Sequence, residues 1–303
     1  MGFREGGSHM NNPWFLLFPL ASALGYALSA LFLKRAMEEG AGVLRTGFVA
    51  NVTMGILFLP ILFFAEGPLL EENWHAPVIT AAFFFLGQIF TILALRKGDV
   101  SVATPLMGSK VIFVAAISVI VLPEPVPLAW WFAAMLAFWS VWLLRVGRPA
   151  DRRRLVVSIT FALLSAASFA VCDVMVQRHG AEWGFERFVP LVFGMAAVFS
   201  IGFMPFFRDP LSTIPQGAWC WLAPGALLLS LQAISIAYAL STYGSATAVN
   251  VVYSLRGIMS ILLVLSIGSF FGNVERSAGG SVMTRRLVSG ALIFVAVLLV
   301  LIN

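Results

Sequence analysis

Residues 22–35 read SALGYALSALFLKR, and residues 165–178 read SAASFAVCDVMVQR. Each opens on Ser-Ala, runs through small and apolar residues, and closes on an arginine at the same spacing. The first lies in a longer apolar run, Pro13 to Met37, and the second overlaps another, Leu155 to Val176, ending two residues past it. A run of about 20 apolar residues is what a helix needs to cross a hydrocarbon core about 30 Å thick. The two stretches therefore read as a pair of related membrane spans.

Runs of this kind fill the chain. Of its 303 residues, 60% are hydrophobic and only 11% charged, with a mean hydropathy of +0.95, where a soluble domain carries roughly 25% charged residues. That composition excludes a soluble catalytic domain and predicts an all-α polytopic membrane protein. Ten spans are expected. In the first half they lie near Pro13 to Met37, Thr46 to Ala65, Ala76 to Leu95, Val100 to Leu122 and Pro127 to Leu144. In the second they lie near Leu155 to Val176, Phe188 to Phe207, Gly217 to Leu240, Ser245 to Phe271 and Leu287 to Leu301. The longest breaks contain GRPADRRR (147–154) and FFGNVERSAGGSVMTRR (270–286).

The opening MGFREGGSHM reads as an expression-tag remnant over residues 1–9, so the native chain is expected to start near Met10 without a cleavable signal peptide. Cys172 and Cys220 fall within apolar spans and read as packing residues. Lysine and arginine crowd the odd-numbered loops, among them Lys34, Arg35, Arg45, Arg96, Lys97 and Arg208, while the even-numbered loops hold only Arg178 and Arg187. Positive charge is retained on the cytoplasmic side, so both termini are expected outside a multi-pass inner (plasma) membrane protein.

The Ser22/Ser165 echo has two companions. Arg45 and Pro68-Leu69 bracket the second span, and Arg187 and Pro210-Leu211 bracket the seventh at the same separation. Gly98 and Gly244 precede the fourth and ninth spans, and twelve residues past each stand Lys110 and Arg256. Five spans per copy is an odd number, so the second copy must enter the membrane upside down. Two inverted five-helix repeats are expected, residues 10–150 and 151–303, as in secondary transporters that bind substrate near the midplane.

Ten short spans in a five-plus-five duplication, an arginine opening the second span (Arg45), and the junction LALRKGDVSVATPL (93–106) echoed by AYALSTYGSATAVN (237–250) carry a family likeness. The chain resembles the drug/metabolite transporter superfamily in its EamA-like ten-helix branch, over nearly its whole length from residue 10. The resemblance implies secondary active transport by alternating access. Members of this layout carry amino acids, nucleotide sugars, triose phosphates, purines or drugs, so the fold does not assign the substrate. Triose-phosphate-type members hold phosphate with basic residues on the fourth and ninth helices, which Lys110 and Arg256 match one each. Leu255 and Gly257 beside Arg256 are not basic, which leaves a monocarboxylate open.

The fourth run, VSVATPLMGSKVIFVAAISVIVL (100–122), places Lys110 in its middle, and Arg256 occupies the corresponding place in the ninth. A charge at mid-bilayer costs a few kcal/mol and is kept for a cavity or a partner. Asp173 is the only acid expected inside a span, so two buried cations face one anion, and an uncompensated buried charge is costly. A small organic anion, phosphorylated or carboxylated and including amino acids, would complete the balance. The expected substrate-binding residues are Lys110 and Arg256, with Tyr253, Ser260 and Asn250 near Arg256, and Gln88, Gln232 and Tyr26 on other spans; Asp173 is the expected counter-ion or coupling group. For Tyr253, Ser260, Gln88, Gln232 and Tyr26, helix packing is an equally open role. The alternative reading is a proton-coupled exporter of cationic or neutral metabolites or drugs that binds through Asp173.

No Gly-x-x-x-x-Gly-Lys-Ser/Thr loop is present, because Gly108-Ser109-Lys110 lies inside an apolar run. His75 and His179 lie in loops without metal-ligand spacing. No enzyme activity, cofactor, metal or nucleic-acid partner is expected. The expected partners are the bilayer and a small-molecule substrate, with no oligomer indicated.

Overall fold

A computed structural model describes residues 13–66, 73–97, 103, 106–122, 126–143, 152–271 and 280–302. The tag reading of residues 1–9, Pro68-Leu69, Gly98, Pro105 and parts of the two longest breaks lie outside the described residues. The described chain is helical and contains no strand. In order, its helices are α1 (Leu17–Ala36), α2 (Val43–Phe58), α3 (Ala76–Lys97), α4 (Lys110–Val121), α5 (Leu128–Leu143) and α6 (Arg152–Trp183), then α7 (Phe185–Ser200), α8 (Gln216–Tyr238), α9 (Ala246–Tyr253), α10 (Arg256–Ile267) and α11 (Gly280–Ile302).

Seven segments are long and apolar enough to cross a bilayer: Trp14–Ala41, Val43–Phe64, Ala76–Ala94, Leu155–Trp183, Phe185–Phe206, Gln216–Tyr243 and Ala246–Val264. Three shorter apolar helices, Lys110–Val121, Leu128–Ser140 and Val288–Ile302, stand where the fourth, fifth and tenth spans are expected. Lipid offers backbone groups no partners, so each segment satisfies its own as a helix. Phe63, Ile120 and Phe132 are exposed on the bare protein, which suits contact with acyl chains.

Local geometry recurs along the sequence. α2 has 16 residues and runs on into a six-residue 3-10 tail, Leu59–Phe64; α7 has 16 residues and a six-residue tail, Ile201–Phe206. Each begins after a glycine in a conformation that L side chains avoid, Gly42 (φ 73°, ψ 148°) and Gly184 (φ 80°, ψ 144°). Absence of a Cβ lets one residue reverse the chain there.

The helices pack as α1 on α8, α3 on α6, α2 on α7 and α5 on α11; α4 rests on α6, and α9 and α10 rest on α1. α2 also meets α8, and α3 meets α7. Hydroxyls stitch these pairs together. Ser235 donates to the Phe18 carbonyl, Ser22 to that of Gln232 and Ser29 to that of Gly225, each at 2.9 Å, so α1 and α8 run antiparallel. Ser165 donates to the Gly87 carbonyl at 3.0 Å across α6 and α3. Small residues allow the close approach: a Cβ added to Gly55 would lie 2.8 Å from that of Ala197, and one added to Gly180 would lie 2.5 Å from that of Ser241.

Two buried arginines tie helix starts to distant loops. Arg45, opening α2, donates to the carbonyls of Gly40, Ala41 and Pro210 and to the Thr213 hydroxyl. Arg187, opening α7, donates to the Glu66 carbonyl at 2.8 Å. The start of α2 thus meets the loop after α7, and the start of α7 meets the loop after α2.

Candidate functional site

The fourth and ninth spans are both interrupted beside their cation. The chain turns at Gly108-Ser109 before Lys110 begins α4, and at Ser254-Leu255 before Arg256 begins α10; both helices then run for 12 residues. A serine closes each preceding turn. Ser109 donates to the Leu106 carbonyl at 2.6 Å and Ser254 to that of Val251 at 2.5 Å, a local bond that competes with the helical ladder. Broken backbone at membrane depth persists where it is enclosed by protein or lines a cavity. The sequence expectation put Lys110 in mid-span, and the structure places it at the first residue of a short helix.

Lys110 pairs with Asp173 of α6, Nζ to Oδ2 at 2.6 Å, both side chains being 13% exposed. Asn250 of α9 donates to the same carboxylate oxygen at 2.8 Å and to the Ala246 carbonyl at 3.0 Å. Arg256 is held differently. Its Cζ lies 4.6 Å from the ring centroids of both Tyr26 and Tyr253, which meet edge to face at 6.0 Å. An aromatic face attracts a cation through its quadrupole, so the two rings cradle the guanidinium without neutralising it. Among the described residues no carboxylate lies within 4.0 Å of Arg256, although Asp173 acts on it through space.

Tyr253 joins the two halves of this arrangement. Lys110 Nζ lies 5.7 Å from its ring centroid, and its hydroxyl donates to Gln232 Oε1 at 3.2 Å. Ser22 donates to the same Gln232 oxygen at 2.8 Å. Seven of the nine residues expected from sequence, Lys110, Asp173, Asn250, Tyr253, Arg256, Tyr26 and Gln232, are linked by these contacts.

The other two are engaged elsewhere. Ser260 donates to the Arg256 carbonyl at 2.8 Å, so its hydroxyl is bound to its own helix. Gln88 exchanges two 2.8 Å hydrogen bonds with Asn51, fastening α3 to α2. Gln177, another polar residue within a span, caps α9 by accepting from the Ala246 amide at 2.6 Å. Sequence reasoning missed Ser22 as the second donor on Gln232, although Ser22 opens the motif repeated at Ser165.

Spans interrupted beside a partly buried cation, inside an apolar helical bundle, also occur in secondary transporters. Residues 13–146 match the EamA-like transporter family. The first half of the chain is thus similar to EamA-like transporters, and the apolar helices are those of a multi-pass membrane protein. A solved crystal structure described only as that of a protein shares the fold, with a TM-score of 0.68 at 15% identity, covering 92% of this chain and 96% of that one. No curated protein matches the chain. The EamA match spans the first five expected spans, so Lys110 lies within it and Arg256 beyond it.

Proposed function

We propose that the chain is a secondary active transporter that moves a small organic anion across the inner membrane by alternating access, with the anion held between Lys110 and Arg256. The observation that carries this reading is Arg256, a partly buried guanidinium cradled by Tyr26 and Tyr253 with no carboxylate within 4.0 Å among the described residues. A planar guanidinium suits bidentate contact with a carboxylate or phosphate. Lys110 lies at the same Tyr253 ring, so one ligand can meet both charges while Asn250 retains Asp173. The half-helix starts at Lys110 and Arg256 add favourable dipoles toward an anion.

Alternating access in this reading rests on two inverted repeats, residues 10–150 and 151–303. The main helix pairings support it, because exchanging each span for its counterpart maps them onto one another. α1–α8 becomes α6–α3, α2–α8 becomes α7–α3, and α1 with α9 and α10 becomes α6 with α4; α2–α7 and α5–α11 map onto themselves. The family match ends at residue 146, close to the boundary between the halves.

Binding of a cationic or neutral substrate at Asp173 is the rival. Asp173 already accepts from Lys110 and Asn250, so a cation there has to displace an ammonium 2.6 Å away, and the charge surplus works against it.

The test is thermal stabilisation of the purified protein by a panel of phosphates, carboxylates and amino acids, repeated on Arg256→Gln and Lys110→Gln. Anions should stabilise the parent and lose most of that effect on Arg256→Gln. Equal stabilisation of parent and both variants would overturn the site. Loss of recognition in Asp173→Asn with Lys110→Gln harmless would favour the rival.

A further inference from the structure

A second basic site lies away from Lys110. A cavity of about 340 Å3 is lined by residues 42–45 at the start of α2 and residues 206–209 beyond α7. Arg45 forms its inner wall and is 9% exposed; its four hydrogen bonds all go to neutral carbonyl or hydroxyl oxygens, and among the described residues no carboxylate comes within 4.0 Å of it. Arg208 and Asp209 line the same space and are exposed. The lining therefore holds two guanidinium groups and one carboxylate, a surplus of one positive charge. Val43 and Phe206, 44% and 72% exposed, add apolar surface to the lining, which includes the first turn of α2, where no side chain caps the backbone donors.

We infer that this cavity binds a phosphodiester monoanion, its phosphoryl oxygens on Arg45 and Arg208 and its apolar part against Val43 and Phe206. Two sources share that chemistry, an anionic lipid headgroup and a free phosphodiester. One negative charge matches the surplus, and a guanidinium pair matches phosphoryl geometry. Arg45 also reaches Pro210 and Thr213, so an occupant fastens the start of α2 to the loop beyond α7. The inference is independent of the central site, because none of these residues touches Lys110, Asp173 or Arg256 in the contacts described above.

Native mass spectrometry in detergent micelles doped with phosphatidylglycerol or phosphatidylcholine tests it, alongside thermal melts with glycerophosphoglycerol, the same phosphodiester without its acyl chains. Arg208→Gln should retain phosphatidylglycerol about fivefold less than the parent, and Arg152→Gln, an exposed arginine outside the cavity, should retain it as the parent does. Asp209→Asn should shift retention the opposite way, which keeps the test informative if Arg208→Gln folds poorly. Stabilisation by phosphatidylglycerol alone assigns the lipid headgroup; Arg208-dependent stabilisation by glycerophosphoglycerol assigns the free phosphodiester. Equal loss in Arg208→Gln and Arg152→Gln, or no response to either Arg208→Gln or Asp209→Asn, overturns the site.

Discussion

Lys110 and Arg256 share one tyrosine, their charged ends lying 5.7 and 4.6 Å from the ring centroid of Tyr253. They come from different spans, and each begins a helix after a break. Like charges gathered in a low-dielectric interior repel, and the ring face offsets only part of that cost. Their settings are unequal: Lys110 has a carboxylate in contact, while Arg256 lies against two aromatic rings.

Changing that tyrosine should separate its ring from its hydroxyl. Tyr253→Phe loses one 3.2 Å hydrogen bond to Gln232 and should cost about 1 kcal/mol. Tyr253→Leu removes the face that both cations use and should cost about 1–2 kcal/mol more. Melting temperatures of the two variants in one detergent check the order.

Removing half of the Lys110–Asp173 pair should be worse than removing all of it. Asp173→Asn leaves the ammonium without its 2.6 Å partner and should destabilise by about 3 kcal/mol. The double variant Lys110→Met/Asp173→Leu replaces both groups with apolar ones and should recover most of that loss. A double-mutant cycle on thermal melts reads the coupling, and additivity would show that the pair contributes nothing.

Two glycines should respond in opposite directions to alanine. Gly180→Ala places a methyl group 2.5 Å from the Ser241 Cβ and should cost about 1–3 kcal/mol through overpacking of α6. Gly194, on α7, has nothing within 4 Å of an added Cβ, so Gly194→Ala should gain about 0.5–1 kcal/mol from helix propensity. Parallel melts of the two variants check the contrast.

Side-specific labelling tests the inverted topology. With Cys172 and Cys220 replaced by alanine, Lys34→Cys and Arg178→Cys, both on half-exposed side chains, should react with a membrane-impermeant maleimide from opposite faces. Labelling from one face would contradict inversion of the second half.

The helical, membrane-spanning character was legible in sequence because it follows from apolar runs, which need no tertiary information. The echoes were legible too: Ser22 and Ser165 both bond the backbone of the helix facing them, and Arg45 and Arg187 both reach a distant loop. Most of the central cluster followed from asking where charge sits in an apolar run. The break in the ninth span did not, whereas Pro105, five residues before Lys110, pointed to one in the fourth. Gln88 and Ser260 show the limit of composition: a polar residue in a span marks a hydrogen bond, and sequence does not say whether a ligand or another helix receives it. The cavity beside Arg45 was invisible for a related reason, since its walls come from segments far apart in the chain.

The pairing of Lys110 with Asp173 also constrains the order in which the protein can be assembled. Translation delivers the ammonium first, and all of α5 and much of α6 must follow before its carboxylate exists, a delay of several seconds at about 5–20 residues per second. For that interval α4 carries a charge costing about 3 kcal/mol in lipid, which favours holding it at the translocon until α6 arrives. A nascent chain stopped at residue 146 should therefore be retained by the insertion machinery or degraded, while one extended past Asp173 should be released into the bilayer.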